Sequence, residues 1–522
     1  MRPKALAVFA VVFFVFLPTL THQFVSWDDD VFLYQNLSFR GLGWTQLRWM
    51  ATTFHHGPYQ PVVWLSYAVD HLLWGMNPAG FHLTSLLIHC ANAALVFLLG
   101  RRLLGLARTE ADAASLDLAA AAGALFFALH PLRVEPVAWA AARRDLLSGT
   151  FFLCALLSHL RARGRPAFIF YCLSLLAKPM GIGLPLVLVI LDVHVLRRGP
   201  RWKEKLPYVL PAIAAAALAW RGQVLAGATA SAEVFGPLKR LAQAAYAHSF
   251  YLVKTAWPAG LAPMYERLLH FDPLGPLYLS AAAASLALAA TAYGLRRRWP
   301  AFWASWLAYV VILAPVLGAV KYGSQLAADR YSYLPGLVWS LLAAGVLLRL
   351  MGRSPSRRRA VAAGACALLI VLAGLTRRQL AYWRDSESLY LRILAQDPGQ
   401  TVARNNLGLV LAAKGRTEEA LEQYRLALRL RPRYAAARNN LGAVLLKSGR
   451  LDEAEAQFRQ ALSCDPRQPD PYNNLALISA GRKRYDEALD LFAAALRADP
   501  SYVKAARNRE LVLRIRDGER RR

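Results

Sequence analysis

The sequence predicts an all-α protein, a polytopic membrane helix bundle followed by a C-terminal α-solenoid. Three observations carry this expectation. Hydrophobic residues make up 56% of the 522-residue chain, too large a share for an ordinary soluble domain. Apolar stretches recur through residues 1–378 with short basic clusters between them, and after residue 378 the string "NNL" returns at 405, 439 and 473, a period of 34 residues.

The first stretch, "MRPKALAVFAVVFFVFLPTL", sets Arg2 and Lys4 ahead of an apolar core as a secretory signal would, but no small-residue cleavage site follows, so it is expected to stay as a span. Further candidate spans lie at 82–100, 113–130, 146–160, 166–178, 180–196, 206–225, 277–294, 300–318, 334–350 and 360–376, which makes about eleven with 5–21. Several fall short of the roughly 20 apolar residues that a bilayer asks of a helix. The segment 236–262 mixes charge with aromatics and is expected to pack or lie at an interface, and the aromatic-rich 54–75 to form an amphipathic helix on the bilayer surface.

Alternate connections hold Arg101, Arg102 and Arg108; Arg161, Arg163 and Arg165; Arg197, Arg198, Arg201, Lys203 and Lys205; Arg296 to Arg298; and Arg349, Arg353, Arg357, Arg358 and Arg359. The positive-inside rule makes those loops and the N-terminus cytoplasmic. The remaining connections, 22–80, "HPLRVEPVAWAAARRD", "KPM" and "KYGSQLAADRYSY", then share the other side, and an odd number of spans puts the C-terminal region there too.

The 34-residue period is that of tetratricopeptide repeats. Their packing positions follow in register: Leu407, Gly408, Ala420, Tyr424, Ala427 and Pro432 in the first unit, with the equivalents in the next two. Repeats are placed at 401–434, 435–468 and 469–502, with a degenerate helix at 386–398 and a closing helix at 503–517, inside a domain spanning 379–522 after a membrane domain of 1–378. Stacked helix pairs make a concave surface suited to a peptide or protein partner.

The formal net charge of +29 raises the question of nucleic acid, but the cations sit between apolar runs and serve topology, so no nucleic-acid partner is expected. Five scattered cysteines without a CxxC pair give neither a disulfide framework nor a thiolate metal site. His55, His56, Asp70 and His71 lack HExxH or comparable spacing, so no metal ligands are assigned. Walker A, GxGxxG and GxSxG motifs are absent, which argues against soluble nucleotide chemistry and serine hydrolysis.

Four polar clusters remain. "WDDD" puts Asp28, Asp29 and Asp30 at the mouth of the first span, where adjacent like charges call for a cation, a metal or a substrate proton. Such a pair suits a general base toward a hydroxyl, or a divalent cation. "ALHPLRVEPVAWAAARRDLLSG" collects His130, Arg133, Glu135, Arg143, Arg144 and Asp145 in one outward turn, against the charge bias unless the guanidiniums meet acids or phosphate. Lys178 stands at a membrane face ahead of Pro179. Asp329, Arg330, Tyr331 and Tyr333 precede a late span, where Arg330 could clamp a lipid phosphate.

The strings "FVSWDDDVFLYQN", "PVVWLSYAVDHLLWG", "FHLTSLLIHCANAALVFLL", "ALHPLRVEPVAWAAARRDLLSG", "LLAKPMGIGLP", "YLVKTAWPAGLAPMY" and "ADRYSYLP", ending in tetratricopeptide repeats, resemble the transmembrane and tetratricopeptide-repeat-containing family, most of all its bacterial members. The resemblance implies a GT-C-fold membrane glycosyltransferase, akin to eukaryotic O-mannosyltransferases that draw on dolichyl-phosphate-mannose. It implies a catalytic role for Asp28 and Asp29, places His130, Glu135, Arg144 and Asp145 in the second motif, and sets Asp329, Arg330 and Tyr331 in the late acidic-arginine element. "KP" at 178–179 departs from the Lys-Glu of the eukaryotic relatives, and the repeats are fewer.

The expected activity is transfer of a sugar, mannose by this resemblance, from a polyprenyl-phosphate carrier to a protein or other hydroxyl acceptor on the extracytoplasmic side. Arg330, with Arg144 or Lys178, would stabilise the departing phosphate. High Arg, Ala and Leu usage points to a bacterial inner membrane with a periplasmic repeat domain. The rival expectation is a non-enzymatic anchored repeat scaffold, which needs only one or two spans. A transporter would show more charge buried mid-span and a duplicated half.

Overall fold

The computed structural model describes residues 3–107, 111–227, 236–263, 265–266, 271–317, 325–352 and 354–520. Arg108, Arg353 and the "KYGS" of the late loop lie outside them. The chain divides into two compact units, Met1–Asp385 and Ser386–Arg522.

In the first unit the helices are α1 (Pro3–Phe16), α2 (Trp44–Thr52), α3 (Pro61–Trp74), α4 (Pro78–Ala107), α5 (Ala113–Ala128), α6 (Val134–Ala138), α7 (Arg143–Leu160), α8 (Gly164–Ala177), α9 (Leu184–His194), α10 (Trp202–Leu225), α11 (Pro237–Ala256), α12 (Pro276–Gly294), α13 (Pro300–Leu313), α14 (Pro335–Met351) and α15 (Pro355–Leu380). Many open on proline, whose fixed φ suits the first helical position and whose missing N–H is unpaired there in any case. A two-residue β1 (Tyr265–Glu266) pairs antiparallel with β2 (Gln325–Ala327), Tyr265 opposite Ala327.

Every apolar stretch picked out in the sequence is helical, but the helices long and apolar enough to cross a membrane are fewer than eleven. Among the described residues five qualify, Pro3–Thr21, Pro78–Ala107, Trp202–Leu225, Pro276–Gly294 and Pro355–Trp383, and a sixth if α5 and Pro131–Ala138, bent by 59°, form one broken span. The others fall short in length, or carry Arg143, Arg144 and Asp145 in the first turn, as α7 does.

α4 is the central helix and packs against α1, α5 and α7, while α7 also packs on α8 and α5 on α14. The rim helices α10, α12 and α15 bury little against protein and expose Leu210 (75%), Leu286 (71%) and Ile370 (67%). Contiguous apolar surface of that size is stable when lipid covers it. The unit is that of a membrane protein.

Three of the basic segments, the N-terminus and the connections at Arg101 and Arg358, meet acids at or near the start of α5. Lys4 and Arg101 both pair with Asp117 at the start of α5, the first at 2.6 Å, and Arg358 at the start of α15 reaches Asp112 at 3.5 Å.

The second unit is a stack of helix pairs: α16 (Ser386–Gln396), α17 (Thr401–Ala413) with α18 (Thr417–Leu430), α19 (Ala435–Lys447) with α20 (Leu451–Cys464), α21 (Pro469–Gly481) with α22 (Tyr485–Ala498), and α23 (Val503–Arg520). Ala420, Tyr424 and Ala427, like Ala454, Phe458, Ala461, Ala488, Phe492 and Ala495, are fully buried. Gly408 and Gly442 let these rings close on the partner helix; a Cβ on Gly408 would sit 2.6 Å from the Tyr424 ring. Asparagines 35 residues apart bond along the stack, Asn440 donating to Asn405 at 2.9 Å and Asn508 to Asn473 at 2.9 Å.

Candidate functional site

The first polar cluster divides at its second and third letters. After Trp27 the backbone turns sharply, with Asp28 at φ 131°, a left-handed conformation that a residue with a Cβ adopts only under constraint. Asp29 supplies part of the constraint. Fully buried, its carboxylate accepts the Val25 N–H at 3.0 Å and the Ala141 N–H at 2.8 Å, tying the loop to the turn before α7. Both oxygens thus meet N–H donors, the wrong polarity for a shared cation. Burial pushes Asp29 up to about 7 against those two bonds.

Asp28 is left with its carboxyl open to solvent on one side and ringed by protein on the others. Desolvation raises it above the ordinary carboxylate range, while Arg144 and Arg330, and then His56, pull the other way. His56 itself sits at φ 51° beside the Phe32 ring.

Around this carboxylate the later clusters close. Glu135, on α6, accepts the Arg330 N–H at 2.7 Å with one oxygen and the Arg330 guanidinium with the other. The Arg330 guanidinium lies 5.1 Å from the Trp139 ring centre and 4.9 Å from that of Tyr331. Lys178, which caps α8, pairs with Asp145 at 2.5 Å and stands 5.0 Å over the same Tyr331 ring. Burial pulls Lys178 down to about 8 although Asp145 raises it. Asp329 accepts the Tyr265 hydroxyl at 2.9 Å, and burial, then the nearby Glu135 charge, raise it well above its usual value.

Arg144 is different. It makes no ion pair among the described residues, and its buried Nε has no partner. Asp145 Oδ2 and Trp139 Nε1, in the same turn, also lack one. Three such atoms fall within seven residues of this one turn. Arg144, Lys178 and Arg330 lie within electrostatic reach of one another, a set of cations whose chemistry suits an anion.

Of the residues singled out in the sequence, Asp28, Glu135, Arg144, Asp145, Lys178, Asp329, Arg330 and Tyr331 come together. His130 does not join them: its Nδ1 accepts the Leu132 N–H at 3.2 Å and its Nε2 lies 3.1 Å from the Thr255 carbonyl, so the ring caps a turn and ties it to α11. Arg143 turns away as well, fully buried against Asp70 at 2.5 Å and the Phe81 carbonyl at 2.8 Å. Asp70 thereby has a structural partner. Among the described residues no three His, Cys, Asp or Glu side chains gather as a metal group. Trp139, Tyr265 and His56 join the site without having been assigned to it; Trp139 and Tyr265 lie inside the quoted motifs "PVAWAAARRD" and "APMY" and offered no charge to notice.

Residues 399–467 and 439–503 match family models described as tetratricopeptide repeat. Fold and site together define a helical membrane protein that carries tetratricopeptide repeats. Within that class the chain is similar to proteins named as TMTC O-mannosyl-transferases. It is 25% identical over 463 residues to protein O-mannosyl-transferase Tmtc3 of Drosophila melanogaster, covering 72% of this chain and 48% of that one. Against human protein O-mannosyl-transferase TMTC1 it is 24% identical over 449 residues, covering 74% and 49%. A shorter stretch of 106 residues, 20% of this chain and 11% of the relative, is 41% identical to Drosophila Tmtc1. The chain spans about half the length of the first two relatives. Among solved structures, MamA is similar at 19% identity and a TM-score of 0.23 over 25% of this chain and 77% of its own.

Proposed function

We propose that the chain is a glycosyltransferase that moves a sugar, mannose on the pattern of its relatives' names, from a polyprenyl-phosphate carrier to a hydroxyl of a protein acceptor. The observation that carries this reading is one solvent-open carboxylate, Asp28, held in a constrained backbone opposite an unpaired Arg144 and the cations Lys178 and Arg330.

In the proposed step Asp28 takes the proton of the acceptor hydroxyl as its oxygen bonds to the anomeric carbon. The bond from that carbon to the phosphate oxygen breaks, its electron pair stays on the phosphate, and the configuration inverts. Arg144, Lys178 and Arg330 meet the charge that develops on the leaving phosphate. Asp29 is a positioning residue that fixes the Asp28 turn, and Glu135 and Asp145 aim two of the cations. A lipid-linked donor fits a site at the ends of apolar helices, and the repeat unit is suited to hold a protein acceptor. The charge pattern supports a cytoplasmic N-terminus and an extracytoplasmic site and repeat unit, in a bacterial cell the periplasmic side of the inner membrane.

The test is Asp28→Asn in membranes with a polyprenyl-phosphate-linked sugar as donor. General-base loss lowers turnover by about 100-fold to 10,000-fold, with KM for the donor little changed. Turnover equal to that of the unaltered protein would remove Asp28 from the chemistry.

A further inference from the structure

At the other end of α7 lies a second polar assembly that the transfer step does not use. Asp192, fully buried near the end of α9, is held by three bases at once: His159 at 2.8 Å, Arg198 at 2.8 Å, and Lys205 on α10. This knot forms the floor of a cavity of about 600 Å³ between α7, α8, α9 and α10.

Arg165, Arg198, Arg201 and Lys205 line the cavity, with Glu204 the one carboxylate in its wall among the described residues. Even with Asp192 behind the wall counted, four cations face two carboxylates. Arg165 is exposed and makes no ion pair among the described residues, and Arg198 spends Nε and Nη2 on Asp192, which leaves Nη1 directed by a fixed anchor. Phe168, Ile169, Leu188 and Pro207 give the cavity an apolar wall, alongside His159 and Tyr208. Ile169 is 57% exposed and Leu206, next to Pro207, 65%, so the cavity opens sideways onto apolar surface.

Three residues with side chains adopt left-handed backbone at this end, Ala162 (φ 56°), Arg197 (φ 50°) and Arg201 (φ 46°), and Ala162 and Arg201 belong to the lining. Strained backbone of this kind gathers at ligand clamps. Asp145 and His159 are separated by 14 residues of one helix, about 21 Å at 1.5 Å per residue. That distance, about two thirds of the roughly 30 Å hydrocarbon thickness of a bilayer, sets the two basic sites at different depths, and the charge pattern assigns their loops to opposite sides.

We propose that this cavity binds an anionic phospholipid from the leaflet opposite the transfer site, its phosphodiester between Arg165 and Arg198 and an acyl chain along Phe168, Ile169 and Leu188. A basic pocket between helices with an apolar lateral opening matches a lipid headgroup. A free phosphate would use the cations and leave the apolar walls idle.

The test is native mass spectrometry of the purified full chain titrated with phosphatidylglycerol, phosphatidylcholine or inorganic phosphate. Phosphatidylglycerol is expected to remain as a single bound copy where phosphatidylcholine is lost, and Arg165→Glu to reduce its retention at least tenfold. Ile169→Glu, a change at an exposed position, reads the acyl wall and is expected to act in the same direction, so the outcome does not hang on one variant. Equal retention of the two lipids, or retention unchanged in both variants, overturns the proposal. Inorganic phosphate that binds without lipid and displaces phosphatidylglycerol overturns the lipid assignment.

Discussion

Asp28 and Asp29 are neighbours in sequence and opposites in surroundings. One is open and strained, the other closed and doubly bonded, and their sequence shows two equal letters. The triplet stood out in the sequence because three adjacent carboxylates are costly; which carboxylate faces outward did not, because that depends on the Ala141 N–H, 112 residues away. The environment gives activity a pH profile with a sign on each limb. In the proposed step Asp28 works ionised, and burial raises it, so turnover is expected to fall as pH drops through a value above that of an ordinary aspartate, a limb that Asp28→Asn is expected to remove. Lys178, pulled down to about 8, loses its charge above that pH, so donor KM rises on the alkaline side. Lys178→Arg keeps the charge and is expected to move that limb upward by more than one pH unit, as steady-state kinetics across pH would show.

At the scale of elements, the short helix α6 and the turn before α14 are stitched by Glu135 and Arg330. Removing one partner of a buried pair leaves the other uncompensated, which costs about 3–5 kcal/mol. Glu135→Ala is expected to lower the unfolding temperature of the first unit and abolish turnover, measured by thermal unfolding in detergent beside the transfer assay. In the repeats, the spacing of small residues made each helix pair readable in advance, because the Gly408 and Tyr424 positions have one packing solution. Gly408→Ala overpacks that contact by about 1–3 kcal/mol. Hydrogen exchange should then quicken in α17 and α18 while the amides of α4 keep their protection. The histidine of "ALHPLRVEP" misled for the converse reason: a capping ring and a site ring carry the same letter, and only the Thr255 carbonyl tells them apart.

For the whole molecule, the apolar pattern placed the helices well, while five or six among the described residues are long and apolar enough to cross a membrane by themselves. Of the basic clusters, three are tied together, as Lys4 and Arg101 meet Asp117 and Arg358 meets Asp112. Sidedness can be read directly. In a Cys366→Ser background, Arg163→Cys is expected to react with a membrane-impermeant maleimide only after lysis of spheroplasts, and Tyr34→Cys to react in intact ones. The reverse pattern would invert the proposed topology.

The pairing of Glu135 with Arg330 joins residues 195 positions apart. In a chain emerging from the ribosome, α6 through α13 are therefore made while Glu135 still lacks its countercharge, and the pair closes only when the stretch before α14 has been made. A chain cut short before that stretch lacks Arg330 and leaves Glu135 buried without its countercharge.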